Sequence, residues 1–558
     1  MPAFTSMMKD YQLSHFRKDF SAGLAVAAIS FPQVMAYALL AGVNPVFGLY
    51  TFIVSTFVAT LVGRSSYMVV GPTNMVAVTI ASSLNALEIV ETGNYMQFVF
   101  LLTFLVGVMQ ILMGSLKLGN LVHFVSQPVI VGLTVGVSLI IITSQLDKML
   151  GLSMERTGGN VVTSLYNVIT HLDTLNYWAL LMGLFSLGVI LFCKKFVPGV
   201  PSYLMAVVVS ILLVYVFNLE THLEIVGGFE SSLPAFKIPA FSLSSLRQLI
   251  SAALSIAILG FTQVLSIVKV MEKKVGEEAE LNKEFIGQGI MNIVCSFFSS
   301  FAATGSFTKS FTNLEVGAKS RLSQLIAGVS VLLFILLFGG IVSYIPIASL
   351  AGIVILVAFY MIDKEEIKKH FSTTKFDAAI FSATFVTTIL TPRLDYAIYF
   401  GVVVSFLLVL KNTSDVNYSY ISYDQNGKEE FSQEKLKNVK EDEYIVINLS
   451  GSIHFNTSEN LKKKLNESFR ENKIFVIRMR DIENIDITAI QELEKFIDRV
   501  NQNHGEVIIC GLDDKIYEIL KQYGIIDKIS EKNCFSVRDD IFKSTKKAIK
   551  RAEKKVDE

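Results

Sequence analysis

Phe301-Ala302-Ala303-Thr304-Gly305-Ser306-Phe307-Thr308-Lys309-Ser310 lies inside a long apolar region that runs from residue 20 to residue 411, yet it is too broken and too polar to cross a bilayer as an ordinary helix. Non-helical backbone at membrane depth is tolerated only where protein buries it or where it lines a watery cavity. A second interruption, Val70-Gly71-Pro72-Thr73-Asn74-Met75, falls at the corresponding place in the first half. Two matched broken helices point to a transporter-type binding site near the bilayer midplane.

Working outward, 558 residues with 52% hydrophobic content, 41 Phe and a mean hydropathy of +0.51 are more apolar than a soluble protein of this size requires. Long uncharged runs occupy residues 20–360, whereas residues 411–558 are rich in Lys, Glu and Asp. This implies one domain in lipid and one in water. A net charge of zero with interspersed signs excludes nucleic acid as a partner. Cys193, Cys295, Cys510 and Cys534 have no metal-type or pairing spacing, and the scattered His15, His123, His171, His222 and His370 suggest neither a metal nor a proton relay. No glycine-rich nucleotide loop of the Gly-x-x-x-x-Gly-Lys-Ser/Thr kind occurs. The reading is therefore not an enzyme and has no cofactor. The polar N-terminus shows no cleavable signal peptide.

A helix needs about 20 apolar residues to cross roughly 30 Å of hydrocarbon. With that ruler, spans fall near 20–40, 45–63, 73–87, 96–116, 128–147, 176–193 and 201–218. A second set falls near 249–269, 285–300, 306–317, 322–341, 345–362, 377–390 and 394–411. The short third and tenth segments, 73–87 and 306–317, are seven apart, as expected of a 7+7 repeat. An odd number of spans per repeat makes the repeats inverted. With the N-terminus cytoplasmic, inside loops hold seventeen Lys and Arg, from Lys9 to Lys375, against five outside: Lys148, Arg156, Lys237, Arg247 and Arg393. That bias places both termini in the cytoplasm of a multi-pass protein of the inner (plasma) membrane.

The tail alternates β-branched runs at 444–449, 474–479 and 507–510 with helical stretches at 458–470 and 487–502, which implies a small sheet covered by helices. The resulting division is a membrane domain at 1–411, a polar linker at 412–442 and a soluble domain at 443–558.

Asp19-Phe20-Ser21-Ala22-Gly23-Leu24, followed by Pro32-Gln33-Val34-Met35-Ala36-Tyr37-Ala38-Leu39-Leu40-Ala41-Gly42, resembles the signature of the sulfate permease (SulP) anion transporters. Gly71-Pro72, the run Asn282 to Gly289, and Gly317-Ala318-Lys319-Ser320-Arg321-Leu322 add to it. The tail is similar to the STAS domain that usually ends these proteins, with Ile485-Asp486-Ile487-Thr488-Ala489 at its hallmark loop. The resemblance implies a uracil-permease-type fold of fourteen segments with a mobile core and a gate, and usually a homodimer. Members move sulfate, bicarbonate, chloride, oxalate or dicarboxylates.

The segments starting at Thr73 and Ser306 would aim two positive helix ends at one point, so backbone donors of Thr73, Asn74, Met75, Val76, Ser306, Phe307, Thr308 and Lys309 are candidates for binding an anion. The competing reading is a pair of packing kinks. Lys309 is an ionisable residue within a membrane segment, functional by default; its alternative is a lysine snorkelling to an interface. The resemblance adds that many animal members carry a basic residue there. Gln33 and Tyr37 lie one helical turn apart, and their family positions line the central site. Gln263 stands where many relatives place a carboxylate associated with cation coupling; it either contacts ligand or bonds between helices. Thr488 is a possible phosphorylation site, or a hydroxyl beside the helix cap Asp486.

These features are read as a secondary anion transporter with a small inorganic or organic anion as cargo and the bilayer as surroundings. Gln263 cannot titrate, which favours exchange or facilitated flux over proton symport. Moving one negative charge inward against 100 mV costs about 2.3 kcal/mol, so a divalent anion needs a coupled counter-ion. The alternatives are a nucleobase carrier on the same fold, an anion channel, or a membrane-anchored signalling module.

Overall fold

The computed structural model describes residues 11–87, 94–118, 126–153, 161–197, 200–227, 233–276, 280–391, 394–412, 417–423, 429–432, 444–536 and 543–557. Lys9, Arg156 and Arg393, used above for orientation, lie outside them. The chain divides into two compact units, 1–405 and 406–558.

The first unit begins with α1 (Leu13–Leu40), α2 (Pro45–Val62), α3 (Asn74–Asn85), α4 (Tyr95–Ser115), α5 (Gln127–Leu150), α6 (Val161–Thr170), α7 (Tyr177–Phe196) and α8 (Ser202–Phe217). It continues with α9 (Leu243–Val275), α10 (Leu281–Phe297), α11 (Phe307–Val316), α12 (Leu322–Val342), α13 (Ile347–Met361), α14 (Lys364–Thr373), α15 (Lys375–Leu390) and α16 (Leu394–Asn412), the last crossing into the second unit. Among the described residues, eight helices are long and apolar enough to cross a membrane. Each segment expected from hydropathy has a helix at its place; α6 and α14 are additional short helices.

Boundaries follow local chemistry. Asn44 starts α2 by accepting from Val46 N at 3.0 Å, with Pro45 in the first helical position. Gly317, at φ 98°, ends α11 in a left-handed turn that a side chain would strain.

Helices pack in a recurring set of pairs: α4 on α10 and α12 on α2, α1 on α12 and α9 on α4, α1 on α11 and α9 on α3, α5 on α15 and α13 on α7. Apolar burial does not drive helices together in lipid, so small residues that let backbones touch matter more. A Cβ on Gly107 would stand 2.6 Å from the Gly289 carbonyl oxygen, and one on Gly289 would stand 2.6 Å from the Gly107 carbonyl oxygen. On the α12–α2 pair, a Cβ on Gly328 would collide with Thr56 Oγ1. Between α7 and α13, the buried hydroxyls of Ser186 and Ser349 bond at 2.7 Å.

Within the apolar helices sit two strands of two residues each, β1 (Val70–Gly71) and β2 (Thr304–Gly305), paired antiparallel with Val70 opposite Gly305 and Gly71 opposite Thr304.

The second unit is a six-stranded sheet in the order β4-β3-β5-β6-β7-β8. Its strands are β3 (Asn417–Tyr423), β4 (Glu429–Ser432), β5 (Tyr444–Ile453), β6 (Ile474–Ile485), β7 (Glu506–Leu512) and β8 (Cys534–Ser536). Strands β5 to β8 are parallel and β3 runs antiparallel to both neighbours. The helices are α17 (Phe455–Ser468), α18 (Ile487–Gln502), α19 (Asp514–Gln522), α20 (Ile525–Ile529) and α21 (Lys543–Asp557). Alternate strand residues serve opposite faces. Ile447, Phe475 and Ile509 pack with Leu461, Ile490, Leu493 and Ile497, while Val446, Val476 and Ile508 pack with Ala548 and Ala552 of α21.

The reading of 412–442 as a polar linker is corrected here. Its described part carries β3 and β4, and the Tyr418 and Tyr420 hydroxyls each lie 2.6 Å from Ser468 Oγ on α17. The two tyrosines alternate with polar residues in Asn417-Tyr418-Ser419-Tyr420, a period-two pattern that the surrounding charge obscured. Residues 433–442 lie outside the described residues.

Asp486 caps α18 by accepting from Ala489 N at 2.9 Å and also accepts from Phe455 N, at the start of α17, at 2.6 Å. Asp486→Ala removes both acceptors. It should lower the stability of the tail by about 1–3 kcal/mol, read as an earlier tail transition in denaturant titrations followed by circular dichroism, with the membrane helices unaffected.

Candidate functional site

Both broken segments follow the same plan of strand, cap and helix. After β1 the chain passes Pro72 to the cap residue Thr73 (φ −128°, ψ 153°) and enters α3; after β2 it reaches the cap residue Ser306 (φ −107°, ψ 119°) and enters α11. Neither cap side chain accepts a backbone N–H of its helix. The first intrahelical bonds are Ala77 N to Thr73 O and Ser310 N to Ser306 O, so the N–H groups ahead of them have no partner within the helix. On α3 the Asn74 side chain takes one of these, accepting from Met75 N at 2.9 Å. The strand pairing holds the two starts together, reinforced by Ser306 N to Val69 O at 2.9 Å and Val69 N to Ser310 Oγ at 2.9 Å.

Lys309 joins the halves. Its ammonium donates to Pro72 O at 3.0 Å and lies 3.4 Å from Ser306 Oγ and 5.4 Å from the centroid of the Tyr37 ring. Only 1% of the residue is exposed, so it does not reach an interface in the manner of a snorkelling lysine. Among the described residues no carboxylate forms an ion pair with it. The buried carboxylates of this unit are engaged elsewhere. Asp19 accepts from Lys319 N at 2.6 Å, Ser320 N at 3.0 Å, Ser320 Oγ at 2.5 Å and Tyr11 Oη at 2.7 Å. Glu284 accepts from Arg64 N at 2.5 Å and Ser65 N at 3.0 Å.

Of the residues expected from sequence, Gln33, Tyr37, Thr73, Met75, Val76, Ser306 and Lys309 are buried. Gln33 Oε1 and Thr73 Oγ1 have no protein partner. Tyr37, Ser306 and Lys309 are brought into one group. Gln33 reaches the region through α1, which packs on both α3 and α11. Gln263 is half-buried on α9, its Oε1 unpartnered. Phe307 and Thr308 have exposed side chains; Phe307 stacks on Phe311 at 5.5 Å, which leaves their backbone N–H groups for the site. Thr488 is partly buried in the first turn of α18, beside the cap Asp486.

A buried polar network behind β2 escaped the sequence reading. Asn292 donates to Ala303 O at 2.9 Å and to Gln110 Oε1 at 2.8 Å, and accepts from Ala303 N at 2.8 Å. Thr304 Oγ1 donates to Gln288 Oε1 at 3.0 Å. Arg321 donates to the Gly63 carbonyl. The available signal was a set of amides inside apolar helices, which are costly there and retained where they serve a purpose.

The sequence pattern of the sulfate permease family matches residues 16–384, and that of the STAS domain matches residues 435–548. The chain belongs to the sulfate permease family. YvdB of Bacillus subtilis is 30% identical over 96% of this chain and 99% of its own length. Sulfate transporter 4.1, chloroplastic, of Arabidopsis thaliana is 26% identical over 94% of this chain and 79% of its own. In fold the chain is similar to murine Solute Carrier 26 family member A9, with a TM-score of 0.87, 19% identity and coverage of 99% of this chain and 94% of that one. The transmembrane domain of a cyanobacterium bicarbonate transporter, BicA, matches with a TM-score of 0.61 and 24% identity over 71% of this chain and 98% of that one. This member of the sulfate permease family is thus a multi-pass membrane protein, with a helical membrane unit and a STAS domain.

Asn292→Leu in this permease leaves the Ala303 N–H and the Gln110 carbonyl unpaired beside β2. About 1–3 kcal/mol is expected per unsatisfied group; the readout is a lower midpoint in detergent thermal unfolding than for Asn501→Leu, an exposed-tail control.

Proposed function

We propose that the chain is a secondary transporter of small anions, of the sulfate, bicarbonate, chloride or dicarboxylate class, working by alternating access and by exchange or facilitated flux. The observation that carries this reading is Lys309, a buried lysine between two helix N-termini that pairs with no carboxylate among the described residues. Positive charge and free N–H groups converge on one point, and an anion is the ligand that relieves both. The names of relatives and neighbours fit this class: a sulfate transporter in Arabidopsis thaliana, a bicarbonate transporter in a cyanobacterium and an anion transporter in mouse. A nucleobase site would instead need acceptors for ring N–H groups.

The packing pairs support fourteen segments in two inverted repeats. Exchanging α1, α2, α3, α4, α5 and α7 with α9, α10, α11, α12, α13 and α15 turns each pair named above into its companion and maps the α5–α13 contact onto itself. β1 and β2, and the caps Thr73 and Ser306, exchange in the same operation. The cytoplasmic termini, the inner-membrane location, the homodimer and a regulatory role for Thr488 belong to this reading and rest on the loop charges and the family resemblance.

Lys309→Gln keeps the volume and removes the charge. In a folded, well-expressed variant, anion affinity measured in proteoliposomes is expected to fall about tenfold to a hundredfold, for a charge-assisted contact of about 1.5–3 kcal/mol; unchanged affinity would defeat the reading. Coupling is a separate matter. Gln263 offers a neutral amide in place of a titrating carboxylate, so an inward proton gradient at clamped voltage should not stimulate wild-type uptake, whereas internal counter-anion should. Strong stimulation by protons would show another group carrying the charge.

A further inference from the structure

Three helix ends meet beside the site without belonging to it: the end of α7, the start of α8 and the end of α13. The Lys194 ammonium lies 4.0 Å from the centroid of the Tyr360 ring, 5.3 Å from that of Tyr203 and 3.5 Å from the Tyr203 hydroxyl, to which it donates. Two independent connections lead from this group to the site. Met361, next to Tyr360, accepts from Asn74 Nδ2 at 2.6 Å. The helix that carries Tyr203, α8, packs on α1, which carries Tyr37. Lys194 itself is exposed, and among the described residues no carboxylate forms an ion pair with it. The helices of this group therefore touch those that carry Tyr37 and Asn74, while the Lys194 side chain is exposed.

The chemistry on offer is that of a small-anion station. The Lys194 ammonium sits over the Tyr360 ring and beside the Tyr203 hydroxyl, on a side chain that is still exposed. The Tyr203 oxygen accepts from Lys194, which leaves the Tyr203 O–H free to donate to an oxyanion or halide. We propose that Lys194, with Tyr203 and Tyr360, forms a second anion-binding station that the cargo occupies between bulk water and the Lys309 site. This rests on the reading of the chain as an anion transporter, and it places the station at the cytoplasmic mouth, where Lys194 falls in the loop-charge topology. The competing account is a lysine snorkelling among interfacial tyrosines. That account ties no transport property to the charge.

A charged mouth raises the local concentration of its cargo and does so less at high salt. The full-length protein is reconstituted in one orientation, and flux of labelled sulfate, bicarbonate and chloride is measured from each face. For Lys194→Gln, the concentration giving half-maximal flux from the cytoplasmic face is expected to rise about threefold to tenfold at low salt, with the opposite face unchanged. The difference should shrink as ionic strength rises, and Lys194→Arg should behave as wild type. Wild-type half-saturation of Lys194→Gln at both faces would overturn the proposal in favour of snorkelling; so would equal weakening at both faces, which marks a general structural defect. Lys309→Gln, run alongside, should weaken both faces. Absence of flux of all three anions in wild type would instead overturn the transporter reading itself.

Discussion

A buried lysine side chain, set against the start of two helices and paired with no carboxylate among the described residues, is the constraint around which the membrane unit is built. Burying an ion costs several kcal/mol even after relaxation, and each helix start adds a partial positive charge. Among the described residues Lys309 has the Pro72 carbonyl and the Ser306 hydroxyl as direct acceptors, with the Tyr37 ring nearby. Those contacts orient the charge without neutralising it. The electrostatics there disfavours a cation at the same point.

That arrangement is possible only because the surrounding helices fix the backbone where it is not helical. The β1–β2 pairing satisfies part of the broken backbone, and Asn292 satisfies the N–H and C=O of Ala303 with one side chain. Asp19 and Glu284 do the equivalent work for two loops, 319–320 and 64–65, whose N–H groups they accept. Carboxylates used in this way compensate backbone donors and are withdrawn from the site, which keeps the field there positive. The close approaches at Gly107, Gly289 and Gly328 let the pairs α4–α10 and α12–α2 pack tightly.

The tail is a separate piece of physics. Its sheet buries aliphatic residues on both faces, with α21 covering one and α17 to α20 the other, and its stability draws on water-driven burial that the membrane unit lacks.

Hydropathy, breakers and loop charge were enough to read the membrane helices, the two interruptions and the strand–helix alternation of the tail from the sequence, because each is a local property of a window of residues. Lys309, Gln33 and Tyr37 stood out for the same reason: a polar side chain in an apolar run is conspicuous. Three things required tertiary structure. The pairing of Val70 with Gly305 joins residues far apart in the chain, and nothing within either short strand specifies its partner. Asn292, Gln110 and Gln288 look like isolated amides until packing shows the backbone groups they satisfy. Tyr418 and Tyr420 lie in a charged stretch whose strand character comes from pairing with β5 and from Ser468, not from its own composition. What a residue prefers is written in its neighbours along the chain; which buried donor meets which acceptor depends on how distant segments pack.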